Sequence, residues 1–392
     1  MPKASVAGRR WGFGFAIAAT MLMMVAASAP SPFYPRFAEQ LGLPPVATTL
    51  MFAVYAFTML AALLLAGAAS DARGRRPVVA AGSLLLAVSL VLFWQADSLV
   101  WVLVARGIQG IAAGLLLPAL SAMVVDFAPP AQAHAASLWN TIAAMSGLGV
   151  GAITAAIILD VSENPAGVVF ASLAGIFVAI ATLVWTTPPG ERSPGARAKL
   201  ASSRPAVPQN LRGAIAVAIP AIIAGWATNG LFLALGSSLV RLHFGATSHA
   251  LQSAAIPVFA VAGIAASVLL HRRSARLVSV YGTAALGVGT ALSLLALALH
   301  AFPAYLLAVA LVGTGFGTAF MGVLKTLMPR VNPAQRAAVM AVVYIVSYLA
   351  FGLPTIVAGL LVPVITLPGA MGALGAAIVV LCAIATVQRI RI

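Results

Sequence analysis

Apolar runs long enough to cross a lipid bilayer recur along this chain, and no other property restricts its fold so severely. A membrane helix needs about 20 mostly apolar residues to cross a hydrocarbon core about 30 Å thick. Runs bounded by charges or by Pro and Gly occupy residues 11–29, 46–69, 77–96, 99–126, 134–159, 166–187, 213–236, 250–270, 277–299, 303–328, 336–362 and 367–387. Within lipid the backbone must satisfy its own polar groups, which points to helices throughout. Charged residues fill 7% of the 392 positions, too few to cover a watery surface, where about 25% is usual. The expectation is an all-α integral membrane protein with twelve transmembrane helices. The division between the last two is the least distinct, because Pro354, Pro363 and Pro368 crowd it.

The first run also imitates a secretory signal, with Lys3, Arg9 and Arg10 ahead of it and Ala27-Ser28-Ala29 at its end. Pro30 would follow the cut, and the run is long enough to span, so it is read as a retained helix.

The longest polar stretch, 190–212, is rich in Pro, Ser and Arg and reads as a linker between halves 1–189 and 213–392. The halves resemble one another. At an offset of 200 residues Arg73, Arg76 and Gly82 fall on Arg273, Arg276 and Gly282. At 203, Gly110, Gly114 and Pro130-Ala131-Gln132 fall on Gly313, Gly317 and Pro333-Ala334-Gln335. These matches are ordered along the chain and imply duplication of a six-span unit into two pseudo-symmetric bundles.

The net charge of +15 would suggest nucleic acid in a soluble protein, but its placement argues otherwise. With the N-terminus inside, eighteen basic residues fall in cytoplasmic segments and two, Arg36 and Arg241, in outer ones. That is the positive-inside bias, and it predicts both termini in the cytoplasm and anionic inner-leaflet lipid as a partner. No basic patch is interleaved with aromatics, and no nucleic-acid partner is expected.

The loop after the second span reads GAASDARGRRP. Gly74 permits a tight turn, Arg75 and Arg76 hold it on the inner side, and Asp71 is an acid at a span end that needs a partner. In the fourth span Arg106 and Gln109 precede Gly110, placing a guanidinium about 10 Å inside the helix at 1.5 Å per residue. A charge at depth costs roughly 2.5–3.5 kcal/mol on insertion scales, so it should face a cavity, a partner or backbone carbonyls.

These strings resemble the major facilitator superfamily, most closely its drug and metabolite proton-antiporter branch. Gly67, Asp71, Gly74, Arg75 and Arg76 match its signature between helices two and three, while Ala72 stands where a basic residue is frequent. The resemblance implies that Asp71 meets the N-terminal end of a helix in the other half and helps to latch one conformation. Arg106, Gln109 and Gly110 resemble the Arg-x-x-Gln-Gly pattern of proton-coupled members, where the arginine is associated with substrate binding or proton movement. Span five carries Gly147 and Gly151 without the proline and glycine pair frequent in antiporters, a departure that bears on antiport.

Small residues four apart, Gly110/Gly114, Gly147/Gly151 and Gly313/Gly317, are expected to let helix backbones approach closely. All seven acids fall in loops or at span ends, so the charges at depth are Arg106 and, near a span end, Lys325, which either snorkels or faces the cavity. A cavity without acids should prefer neutral or anionic compounds to organic cations. Proton coupling would then fall to Asp71, Asp126, a substrate carboxylate or a histidine such as His300. The helices that line the pathway in this fold contribute Tyr55, Asn140, Trp226, Asn229, Tyr344 and Tyr348 as cavity candidates. Met21, Met23 and Met24 suit either an adaptable apolar site or core filling.

The lone Cys382 allows no disulfide, the five histidines have no metal-ligand spacing, and no phosphate-binding loop is present, so no cofactor or metal is expected. The sequence reads as a monomeric secondary transporter of the inner membrane, not an enzyme. It would work by alternating access in proton-coupled efflux of a small hydrophobic compound. Uptake or facilitated diffusion of a neutral or anionic metabolite is the alternative, and a membrane-embedded lipid-modifying enzyme a remote one.

Overall fold

The computed structural model describes residues 5–66, 73–129, 135–189, 209–332 and 335–391. Gly67 and Asp71 lie outside them, as does nearly all of the 190–212 stretch. The described residues form helices and no strand. In chain order these are α1 (Val6–Ser28), α2 (Tyr34–Gln40), α3 (Pro45–Ala66), α4 (Arg75–Trp94), α5 (Leu99–Phe127) and α6 (Ala136–Val161). A π-helical turn at Gly167–Ala171 leads into α7 (Ser172–Leu183). There follow α8 (Arg212–Phe244), α9 (His249–Gln252), α10 (Ala255–Leu270), α11 (Ala275–Ala298), α12 (Phe302–Leu327) and α13 (Arg336–Arg391).

Ten segments among the described residues are long and apolar enough to span a bilayer, and the apolar α10 is shorter at 16 residues. One of the ten, α13, is two helices joined without a loop: Ile365 leaves helical geometry and Thr366 has φ +67°. The chain thus offers the twelve crossings expected from its sequence, with the join where the prolines crowd. Boundaries shift by several residues, as at Val6 and Ala255, and most at the end of the seventh span. The seventh span was expected to stop at residue 236, but α8 runs on to Phe244 and ends at Gly245, whose φ of +67° is the left-handed conformation a helix stop favours. Gly236 and the serines after it resemble a break, yet Leu233, Leu235, Leu239 and Val240 around them are buried, and tertiary contact overrides the low helix propensity of the glycine and serines.

In the first half α3 and α4 pack on α5, and α1 packs on α5 and α6. In the second, α10 and α11 pack on α12, and α8 on α12 and α13. The two sets meet along two seams, α3 against α13 and α6 against α10.

The duplication read from sequence recurs as a duplication of contacts. Gly110 and Gly114 on α5 meet Tyr55 and Met59 of α3, and Gly313 and Gly317 on α12 meet Phe259 and Gly263 of α10, the glycines 203 residues apart and their partners 204. Gly82 of α4 faces Leu116 of α5, and Gly282 of α11 faces Ala319 of α12. Gly147 and Gly151 meet the α1 backbone at Met21 and Val25, where any side chain would collide.

Candidate functional site

Arg106 and Gln109 stand one turn apart on α5, and both are buried. The α1 helix ends at Ser28, so its last carbonyls lack partners within the helix. Gln109 Nε2 donates to Ala26 O at 2.8 Å, and Arg106 Nη1 donates to Ala27 O at 3.4 Å and to Gln109 Oε1. A helix end is thereby satisfied by two side chains of its neighbour, and Arg106 Nη1 gains two acceptors, while its Nε and Nη2 are buried without hydrogen-bond partners among the described residues. Four rings complete its surroundings: Tyr34, Phe52, Tyr55 and Phe93, with centroids 5.0, 5.2, 5.5 and 5.5 Å from the guanidinium carbon. Cation–π contact of this kind is worth about 2 kcal/mol when desolvated. Arg106 is 1% exposed and sits inside the first half, on carbonyls and rings and without a carboxylate partner among the described residues. At the 203-residue offset its counterpart is Val309, so the second half carries no matching charge.

A second aromatic group lies in the other half. Trp226 of α8 touches Phe316 and Phe320 of α12 at 6.1 and 5.9 Å and Tyr348 and Phe351 of α13 at 5.2 and 6.2 Å. Tyr344 joins through Tyr348 at 6.5 Å. Phe52 connects the two groups across the α3/α13 seam, since it packs on Arg106 and lies 6.0 Å from Phe351. Asn229 is buried one turn beyond Trp226. Asn140 stands apart, near the start of α6, with its Oδ1 buried and unpartnered. The structure therefore gathers Trp226, Tyr344 and Tyr348 at one wall and Tyr55 at the guanidinium. Sequence reading missed Phe52, Phe316, Phe320 and Phe351, although Tyr344, Tyr348 and Phe351 repeat at helical spacing and announce a common face.

At the face holding both termini, Gly74 adopts φ +97° just before α4, a conformation that favours glycine. Arg75 Nε reaches Asp126 at 3.3 Å, and Arg9 Nη2 donates to the carbonyls of Asp126 and Ala128 at 3.2 Å each. Arg76 is partly buried on the first turn of α4. Lys325 donates to the carbonyls of His271 and, at 3.0 Å, Arg273, so its ammonium caps the end of α10. That is snorkelling, and it takes Lys325 away from the seams. His300 lies at the far face, stacked on His243 at 4.3 Å.

Every hydrogen bond or ion pair joining the halves, among the described residues, lies at the face opposite the termini. Ser31 Oγ donates to Leu233 O at 2.6 Å, and Arg241 pairs with Glu39. Asp160 accepts from the backbone N–H groups of His249 and Ala250 at 2.8 and 2.9 Å and from His249 Nδ1 at 2.7 Å. Asp160 of one half thus caps a helix of the other. Asp160→Ala should cost about 1 kcal/mol of that contact and shift the closed-to-open ratio at this face roughly fivefold. Distances between spin labels at Glu163 and Leu299 would show it, and an unchanged distribution would remove the strap from the account.

Comparison with known proteins adds to this geometry. A family model described as the Major Facilitator Superfamily matches residues 16–355. A stretch of 94 residues, 24% of this chain and 22% of the relative, is 39% identical to the multidrug resistance protein MdtL of Klebsiella pneumoniae (strain 342). The chain thus spans about a fifth of that relative. Among solved structures, a bacterial homologue of the human lysosomal transporter Spinster, inward-facing and unoccupied, superposes with a TM-score of 0.76 at 14% identity, covering 98% of both chains. The human organic anion transporter MFSD10 superposes with a TM-score of 0.70 at 17% identity, covering 98% of this chain and 100% of that one. With its all-helical membrane fold and the match across most of its length, this chain belongs to the major facilitator superfamily and is a transporter, not an enzyme.

Proposed function

We propose that the protein exports a small, uncharged hydrophobic compound in exchange for protons. Two halves, 1–189 and 213–392, rock about the seams as a monomer, joined by the 190–212 linker, with both termini in the cytoplasm. The observation that carries this reading is the wall around Trp226. It offers ring faces and edges at the seam, and the described acids, Glu39, Asp97, Asp126, Asp160 and Glu163, all sit at helix ends or in loops. Trp226 Nε1 is buried without a partner, a donor available to an acceptor atom on the substrate, and Asn229 adds an amide one turn away. The partial match to a multidrug resistance protein supports the same direction. The alternative of anion uptake draws on Arg106, but its enclosure behind Phe52 in the first half favours a neutral cargo. Gly74, Arg75 and Arg76, with Gly67 and Asp71, are assigned to the conformational latch.

The test is purified protein in liposomes with an imposed pH gradient, internal pH recorded, and a panel of uncharged aromatic solutes. Substrate-dependent proton flux is expected, and Trp226→Ala should raise KM roughly tenfold through loss of about 1.5 kcal/mol of ring contact. Transport that is indifferent to collapse of the pH gradient at fixed membrane potential overturns the coupling. Preference for organic cations overturns the substrate class.

A further inference from the structure

The positive-inside bias leaves two basic residues at the face opposite the termini, and the fold brings both into one cavity. That cavity, of about 380 Å³, is lined by Pro35, Arg36 and Glu39 from the first half and by Arg241, His249 and Gln252 among others from the second. Pockets for small molecules run from roughly 300 to 1,000 Å³, which places this one in the range of a small ligand.

The charges nearly cancel, and the remainder defines the ligand. Arg241 is paired with Glu39, and His249 is hydrogen-bonded to Asp160, which lies outside the lining. Arg36 is half-buried and has no ion-pair or hydrogen-bond partner among the described residues. Arg241 engages Glu39 through Nη1 and its side chain is 31% exposed, so the guanidinium keeps further N–H donors at the cavity. Of the ionic side chains in the lining, Arg36 and Arg241 against Glu39 leave one positive charge, and with the Arg36 guanidinium fork and the spare N–H groups of Arg241 this matches a singly charged oxyanion. Because the lining comes from both halves, the cavity is complete only while this face is closed.

We propose that this cavity binds a monoanionic oxyanion, a carboxylate or a phosphodiester, bridging Arg36 to Arg241 and holding the face shut. Such a ligand acts from the side opposite the termini and slows the return of the transporter to the conformation open there. It is distinct from the cargo wall around Trp226 and does not depend on what that wall carries. The ligand is either a free small anion or the headgroup of a lipid in that leaflet.

The experiment uses the full chain carrying Cys382→Ala, labelled at Glu163→Cys and Leu299→Cys, with distances read by pulsed spin-label spectroscopy. In detergent the probes are benzoate and, separately, inorganic phosphate; in nanodiscs, phosphatidylglycerol is compared with phosphatidylcholine. A ligand confined to the closed form raises the closed-to-open ratio roughly tenfold at ten times its Kd. A shift with benzoate or phosphate identifies a free anion, and a shift with phosphatidylglycerol alone identifies a headgroup. In either case Arg36→Gln should abolish it while leaving the Glu39–Arg241 pair in place. No shift with any probe, or a shift that survives Arg36→Gln, overturns the proposal.

Discussion

Gln109→Leu should destabilise the protein more than removal of the charge it serves. The substitution leaves Arg106 Nη1 with the 3.4 Å contact to Ala27 as its remaining acceptor, and strips Ala26 O of its donor. Losing a hydrogen bond to a buried charge costs about 1.5–3 kcal/mol, and the stranded Ala26 carbonyl adds about 1–3 kcal/mol. Arg106→Met removes the charge itself and keeps the Gln109 bond to Ala26, and the ring cage around it accepts an apolar chain of similar length. Its cost should stay near 1–2 kcal/mol. The double variant should recover much of the Gln109→Leu loss, with a coupling of roughly 1–3 kcal/mol. Thermal unfolding in detergent should therefore rank the double variant above Gln109→Leu, and the reverse order would show that the guanidinium is not held by this amide. A stable double variant that no longer transports would assign Arg106 to the working cycle rather than to packing.

The second large effect separates two glycines that duplication made equivalent. A Cβ at Gly82 would meet the Leu116 side chain, 2.8 Å from its Cγ, whereas one at Gly282 would meet Ala319 Cα at 2.6 Å and Thr318 carbonyl carbon at 2.8 Å. A side chain can rotate away, but a packed helix backbone cannot. Gly82→Ala should cost about 1 kcal/mol and be rescued by Leu116→Ala. Gly282→Ala should cost about 3 kcal/mol or more, because α11 and α12 must separate, and a smaller neighbour cannot rescue it: Ala319 has no side chain beyond Cβ. Yield of monodisperse protein and its melting temperature would test both. Equal losses at the two sites would contradict the asymmetry.

The fold was legible because lipid makes length and polarity decisive: a run such as 99–126 has nowhere to be except across the membrane, and α5 covers 99–127. Gly110 and Gly313 were expected to let helices approach closely, and each meets the backbone of a neighbouring helix. The site was less readable. Arg106 and Gln109 stood out by polarity at depth, but their acceptors are backbone carbonyls of α1, and a carbonyl has no signature in sequence. Phe52 was passed over because one phenylalanine among so many apolar residues carries no distinguishing chemistry; its role comes from touching both Arg106 and Phe351, residues far apart in the chain. Arg36 and Arg241 were read as exceptions to a topological rule, and only folding shows them sharing one cavity.

The loopless join in α13 has a mechanical meaning. Residues 336–364 lie against the first half, where Gly352 faces Ala56 and Gly359 faces Thr49. Residues 367–391 lie against α11 of their own half, where Cys382 packs on Gly287 and Thr386 Oγ1 donates to Thr283 Oγ1 at 2.8 Å. With two residues at the elbow and no slack, a tilt of the seam limb would be passed directly to the rear limb and so to the lipid beside it. The thickness and stiffness of the surrounding bilayer thereby become part of the load that each turnover works against.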